Sequence, residues 1–188
     1  AQDDLSIQKK LSVIENEFQT VDPFLQQELL AAQSELYLKS GKLDDSEKAL
    51  LKAYALNEFA FAPALGRFYA NFRTFGQSLE IFEKYLKKYH DQAIAIQTAE
   101  IYCLLKKTEK IAELRKDYQS DSGSGGMLCC YYFDALTALA DNDMIALKEL
   151  SSPLRNNINT PLAAFMFFCA DIQNGDFTKL KNSYTRLL

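Results

Sequence analysis

A tyrosine recurs in this chain at Tyr37, Tyr69 and Tyr102, at separations of 32 and 33 residues. Three residues before each stands a small residue: Ser34, Gly66 and Ala99. Nine residues after each come Ser46, Ser78 and Ile111. A period of this length marks stacked supersecondary units, because one such unit cannot bury its apolar face alone and must lean on a neighbour. The residue types suggest how the stack is packed. A small residue lets two helices approach closely, and an aromatic ring fills the space below that contact.

Each unit reads as a pair of helices. The segment from Leu30 to Asn57 has helical spacing, then Ser40-Gly41, then a second helical run. Gly41 can take the left-handed conformation that ends a helix. Asp44 with Glu47 three residues on suggests a capping box for the next helix. So short a turn predicts antiparallel helices. Before this unit, Ile7, Leu11, Ile14 and Phe18 share one face of an amphipathic N-terminal helix over 1–20. Asp22-Pro23 then opens the following helix.

The repeat resembles the tetratricopeptide family, whose unit is about 34 residues with a small-x-x-Tyr signature on the first helix. Ser34-Glu35-Leu36-Tyr37, Gly66-Arg67-Phe68-Tyr69 and Ala99-Glu100-Ile101-Tyr102 carry the resemblance. Leu50 with Ala53, and Phe82 with Tyr85, stand at the core positions of the second helices. The repeats are degenerate: Tyr85 and Tyr118 are large where the family prefers Ala, and the Pro that closes a unit is missing. The resemblance implies an all-α fold, a superhelical solenoid of about five antiparallel helix-turn-helix pairs behind the N-terminal helix. It covers three units over 23–119 and extends, less cleanly, to two helical hairpins over 127–188, all within a single domain, 1–188.

Those last hairpins are expected over Met127–Ala140 with Asp143–Leu154, and over Pro161–Gln173 with Phe177–Leu188. Thr160-Pro161 supplies a hydroxyl cap and a first-turn Pro. Asn174-Gly175-Asp176-Phe177 is similar to the family's inter-helix turn, but Asp171 stands where a Tyr is expected. The register of the fourth pair is ambiguous. The segment Ser120-Asp121-Ser122-Gly123-Ser124-Gly125-Gly126 reads as a flexible linker.

Composition closes off some classes. Apolar types make up 48% of the 188 residues, enough for a substantial core, and seven Gly with four Pro disfavour a turn-rich β-sandwich. The net charge of -4 argues against non-specific nucleic-acid binding, which needs a positive field. No apolar run approaches the roughly 20 residues of a transmembrane helix. The chain begins Ala1-Gln2 without an initiator Met, as after removal of a leader or trimming. A soluble cytoplasmic protein is the expectation, and a processed extracytoplasmic form fits as well.

No residue pattern demands a cofactor or metal. Cys103, Cys129, Cys130 and Cys169 sit in apolar helical contexts without paired C-x-x-C spacing, and read as buried thiols. Asp141-Asn142-Asp143 starts like a calcium loop, but Ile145 and Ala146 occupy the positions that need a ligand and a Gly, so an Asp-capped turn explains it better. His90, the single histidine, reads as a cation at a helix C-terminus. The Gly-rich segment lacks the Lys of a phosphate loop.

Lys84, Lys87, Lys88, Lys106, Lys107, Lys110, Arg115 and Lys116 make the middle locally basic, as a solvated face or an acid-binding groove. Tyr131-Tyr132-Phe133 and Phe165-Met166-Phe167-Phe168 are apolar on more than one face, as core or as a partner or homodimer contact.

In the tetratricopeptide family, ligands lie in a concave groove lined by the first helix of each pair. Carried to the matched units, this places Glu35, Leu38, Lys39, Arg67, Ala70, Asn71, Glu100, Cys103 and Leu104 on the inner wall. The resemblance thus implies a non-catalytic interaction module for a protein or peptide segment: scaffold, adaptor or chaperone-like. A self-assembling subunit, or part of a longer solenoid acting through its ends, is the alternative. An enzyme or small-molecule binder is a third class, which folding could reveal by bringing carboxylates together.

Overall fold

The computed structural model describes residues 2–18, 20–119 and 124–175. The chain divides into two compact units, Ala1–Tyr89 and His90–Leu188. Among the described residues all regular structure is helical. Unit 1 holds α1 (Gln2–Glu17), α2 (Pro23–Lys39), α3 (Leu43–Leu56), α4 (Glu58–Asn71) and α5 (Phe75–Leu86). Unit 2 holds α6 (Gln92–Leu104), α7 (Thr108–Gln119), α8 (Ser124–Ala140), α9 (Met144–Leu154) and α10 (Pro161–Asn174). Consecutive helices pack as α2 on α3 and α4 on α5 in unit 1, and as α6 on α7, α8 on α9 and α9 on α10 in unit 2.

Side chains cap the start of α2, α4, α6, α9 and α10. Asp22 accepts from the N–H groups of Phe24 and Leu25 at 2.9 and 3.1 Å, and Pro23 takes the first helical position, where its missing N–H costs nothing. Asn57 caps α4, Asp91 caps α6, Asp143 caps α9 and Thr160 caps α10 in the same way. The capping box expected at Asp44 and Glu47 does not form. Lys42 is the N-cap of α3, without a side-chain bond, and Asp44 and Asp45 lie in the first turn facing the positive end of the helix. Glu47 instead accepts the Tyr69 hydroxyl at 2.7 Å.

Among the described residues, α2, α4, α6, α8 and α10 all end at a left-handed residue. Gly41, Arg73, Lys106, Asn142 and Gly175 all have positive φ, between 56 and 73°. The N–H of Gly41 bonds to the Leu38 carbonyl, and that of Lys42 to the Tyr37 carbonyl. The same two bonds recur from Arg73 and Thr74 to Ala70 and Tyr69, from Lys106 and Lys107 to Cys103 and Tyr102, and from Asn142 and Asp143 to Leu139 and Ala138. This is the Schellman arrangement, which satisfies carbonyls that the helix end leaves open. Counted from these turns, the place of Tyr37, Tyr69 and Tyr102 is taken by Ala138 on α8 and Asp171 on α10, each four residues before its left-handed residue.

The small residues do what their size suggests. Ser34, Gly66 and Ala99 are all buried. The Ser46 hydroxyl donates to the Ser34 carbonyl at 3.0 Å, and the Ser78 hydroxyl donates to the Gly66 carbonyl at 2.8 Å. Each bond clips a second helix to its first. In the third pair, fully buried Ile111 fills that position and makes an apolar contact instead. Leu50, Ala53, Phe82 and Tyr85 are buried, as expected of second-helix core residues. Tyr69 and Tyr102 are buried too, while Tyr37 is half-buried. On α1, Leu11 and Ile14 are buried and Ile7 and Phe18 half-buried, which matches the amphipathic reading.

Two expectations about boundaries change. The division into units falls between Tyr89 and His90, so the third pair, α6 and α7, belongs to the same unit as the later hairpins. Ser124-Gly125-Gly126, expected within a linker, lies in the first turn of α8. Residues 120–123 of that segment, and the expected helix at 177–188, lie outside the described residues.

Candidate functional site

The residues expected to line a groove fall into two places. In unit 1, Glu35, Leu38, Lys39, Arg67 and Asn71 are exposed and Ala70 is half-buried. Glu35 forms one wall of an open groove of about 540 Å³ between α1 and α2. Lys9 and Lys10 stand on the opposite wall, and Val13, Ile14, Ala32 and Leu36 make an apolar lining. Leu38, Lys39, Arg67, Ala70 and Asn71 are not among its lining residues.

In unit 2, Cys103 and Leu104 line a second groove, of about 440 Å³. Three helices converge on it: α6 through those two residues, α8 through Leu139 and Ala140, and α10 through Leu162, Phe165 and Cys169. Leu104 is 55% and Phe165 43% exposed, so both offer apolar surface to a visitor. The left-handed turn residues Lys106 and Asn142, and Met144, also line it. Among the described lining residues Lys106 alone is charged. The turns thus bring a cation and an amide to an otherwise mostly apolar lining.

Cys103 and Glu100 sit deeper than an inner-wall reading implies. Cys103 is 5% exposed and its thiol points at the Leu136 carbonyl at 3.3 Å. Burial, with the Glu100 and Asp141 charges nearby, pushes that thiol up to about 11, which keeps it protonated and a poor nucleophile near neutral pH. Glu100 turns toward its own unit's interior. Its carboxylate accepts the Tyr132 hydroxyl at 2.6 Å and the Thr160 hydroxyl. Burial raises its pKa, while the two hydroxyl donors pull the other way.

Other candidate groups are absorbed locally. His90 lies beyond the end of α5, not on it, and stacks on Tyr118 with centroids 4.0 Å apart. Much of the basic middle is paired: Lys84 and Lys88 with Glu58, Lys110 with Glu113, and Arg115 with Asp134. In the aromatic runs, Tyr132, Phe133, Met166 and Phe167 are core, whereas Tyr131 and Phe165 face outward. Asp143 caps α9 from the segment that resembled a calcium loop. Among the described residues, no cluster of His, Cys, Asp and Glu is arranged to hold a metal ion. No described helix is long and apolar enough to cross a membrane.

Two polar anchors were not anticipated. One is the Glu100–Tyr132–Thr160 cluster. The other joins Arg155, just past α9, to fully buried Asp171 on α10 through two hydrogen bonds, with the guanidinium over the Phe167 ring at 5.1 Å. A signal for both was present: Glu100 and Asp171 are the sole charged residues of α6 and α10. A lone charge in an apolar helix must find a partner inside the fold.

Comparison with protein-family models gives no match, and comparison with curated protein sequences gives none either.

Proposed function

We propose that this chain is a non-catalytic protein-interaction module that holds an apolar segment of a partner protein in the groove of unit 2. One observation carries this reading: α6, α8 and α10 contribute to a single slot that leaves Leu104 and Phe165 accessible. Apolar anchors entering such a slot supply most of the affinity in helix-in-groove or extended-peptide recognition. The tetratricopeptide resemblance agrees, since it implies ligands on the faces of first helices. By the same resemblance, the exposed Glu35, Lys39, Arg67 and Asn71 of unit 1 offer a partner polar contacts of their own, of the kind that set specificity.

The test is photo-cross-linking from a benzophenone amino acid at position 165 in native extract, repeated with Leu104→Glu and with the pair Lys39→Glu and Arg67→Glu. The reading expects a discrete cross-linked partner that Leu104→Glu abolishes and the charge reversals weaken, at unchanged helicity. Equal capture by all variants would contradict it.

Self-assembly is a second reading favoured by one feature. On α1, Leu5 is 73% and Val13 48% exposed, and Val13 borders the apolar groove of unit 1. Light scattering over a hundredfold range of concentration separates the two. A mass that grows with concentration, and falls back on Val13→Glu, favours self-assembly.

A further inference from the structure

We infer that Glu100 is the positioning residue of the unit 2 groove: it ties α8 and the start of α10 to α6, and so sets the slot between them. The three helices it joins are the three that line that slot. Glu100 is one turn from Cys103 and Leu104 on α6. Thr160 stands two residues before Leu162 on the other wall.

The hydrogen-bond accounting explains why a carboxylate serves here. Two hydroxyls converge on Glu100 Oε1, one from fully buried Tyr132 and one from Thr160. Thr160 Oγ1 also accepts the Ala163 N–H at 3.1 Å, so the hydroxyl that caps α10 is the one held by Glu100. The Tyr132 and Thr160 oxygens lie 3.1 Å apart. Each hydroxyl has one proton to give, and both are given to the same oxygen. Removing the acceptor would leave the two hydroxyls with only each other, so that one of the two inward protons loses its partner, which is the costly way to break such a network. Opening would then occur where the network was, between α6, α8 and α10.

This inference rests on the proposed groove only for its biological meaning. Its test needs no partner. Cys103 and Cys169 line the groove, whereas Cys129 on α8 is buried outside it. The three lie on separate tryptic peptides, so iodoacetamide labelling of the full chain reads Cys103 and Cys169 by peptide mass, and Cys129, which shares its peptide with Cys130, by fragmentation of that peptide.

In Thr160→Val relative to wild type, and in Glu100→Ala relative to Glu100→Gln, Cys103 is expected to label about tenfold faster or more, the factor equivalent to one lost buried hydrogen bond, while Cys129 keeps its rate. Glu100→Gln keeps a carbonyl acceptor but loses the charge beside the Cys103 thiol, as Glu100→Ala does, so comparing those two removes the effect of the charge. Thr160→Ser retains the hydroxyl and should stay within about twofold of wild type. Tyr132→Phe removes a single oxygen and serves if Glu100→Ala does not fold.

Unchanged Cys103 labelling in the folded variants would overturn the inference. So would Cys129 rising in step with Cys103, because that is general loosening, or failure of Thr160→Ser to restore the rate. Should Cys103 respond as expected while the cross-linking of the groove fails, the positioning role stands and the interaction reading falls.

Discussion

At Gly66 an added Cβ would sit 2.2 Å from a ring carbon of Phe82, a side chain with no exposed surface and nowhere to go. Gly66→Ala should therefore destabilise unit 1 by about 1–3 kcal/mol in urea unfolding, although Ala is the better helix former by roughly 0.5–1 kcal/mol. A stabilised variant would show that α4 and α5 are not in close contact. Glu100 carries the second residue-level prediction. Burial raises its pKa in the folded state above its ordinary value. The folded protein then holds that proton more tightly than the unfolded chain does. Its contribution to stability is complete below the unfolded pKa and is lost as pH rises through the folded one. Glu100→Gln lacks this titration, so its stability relative to wild type should increase from pH 4 to pH 7. A difference flat across that range would mean that Glu100 is well solvated. The role of Gly66 was legible in the sequence, because a small residue three before an aromatic implies close packing. The inward turn of Glu100 was not, since periodicity places a residue on a helix face without saying what closes over that face.

α2, α4, α6 and α8 stop in the same way, and among the described residues only two of the five left-handed positions are glycine. Arg73 and Lys106 hold φ values of 59 and 56°, a conformation that costs a side chain with a Cβ about 1–2 kcal/mol. Arg73→Gly and Lys106→Gly should each raise the thermal midpoint, by up to roughly 1 kcal/mol of stability once the greater freedom of glycine in the unfolded chain is subtracted. Gly41→Ala, at φ 73° with open space around it, should lose about 1 kcal/mol through strain alone. The opposite signs would place these turns elsewhere. Gly41 announced its turn in the sequence. Arg73 and Lys106 gave no such signal, because the turn there is imposed by the packing of the flanking helices rather than by local preference. The capping box at Asp44 failed for the same kind of reason: Lys42 begins α3 one residue before Leu43, which leaves Asp44 inside the first turn and directs Glu47 to Tyr69.

Across the whole molecule, the helical pairs share a register that side-chain identity partly conceals. The three tyrosines mark it through Tyr102, and Ala138 and Asp171 continue it under different residue types. The helices themselves were readable from apolar spacing, Asp and Thr caps and Pro at first positions. The division at Tyr89 and His90 was not, because no composition shift falls there, whereas the glycine-rich segment that does shift composition partly enters α8. Of the residues expected on a single inner wall, Glu35 lines one groove and Cys103 and Leu104 another, and the lining contributed by α10 was not expected from the sequence. Both the interaction reading and the Glu100 inference depend on this register, since it decides which helix faces meet. NMR measurement of the backbone φ angles at Arg73, Lys106 and Asn142, from scalar couplings and amide–Hα distances, tests it most directly. Positive φ at all three, with helical values on both sides, is the predicted result; negative φ at Arg73 or Lys106, or an uninterrupted helix through either, would contradict it.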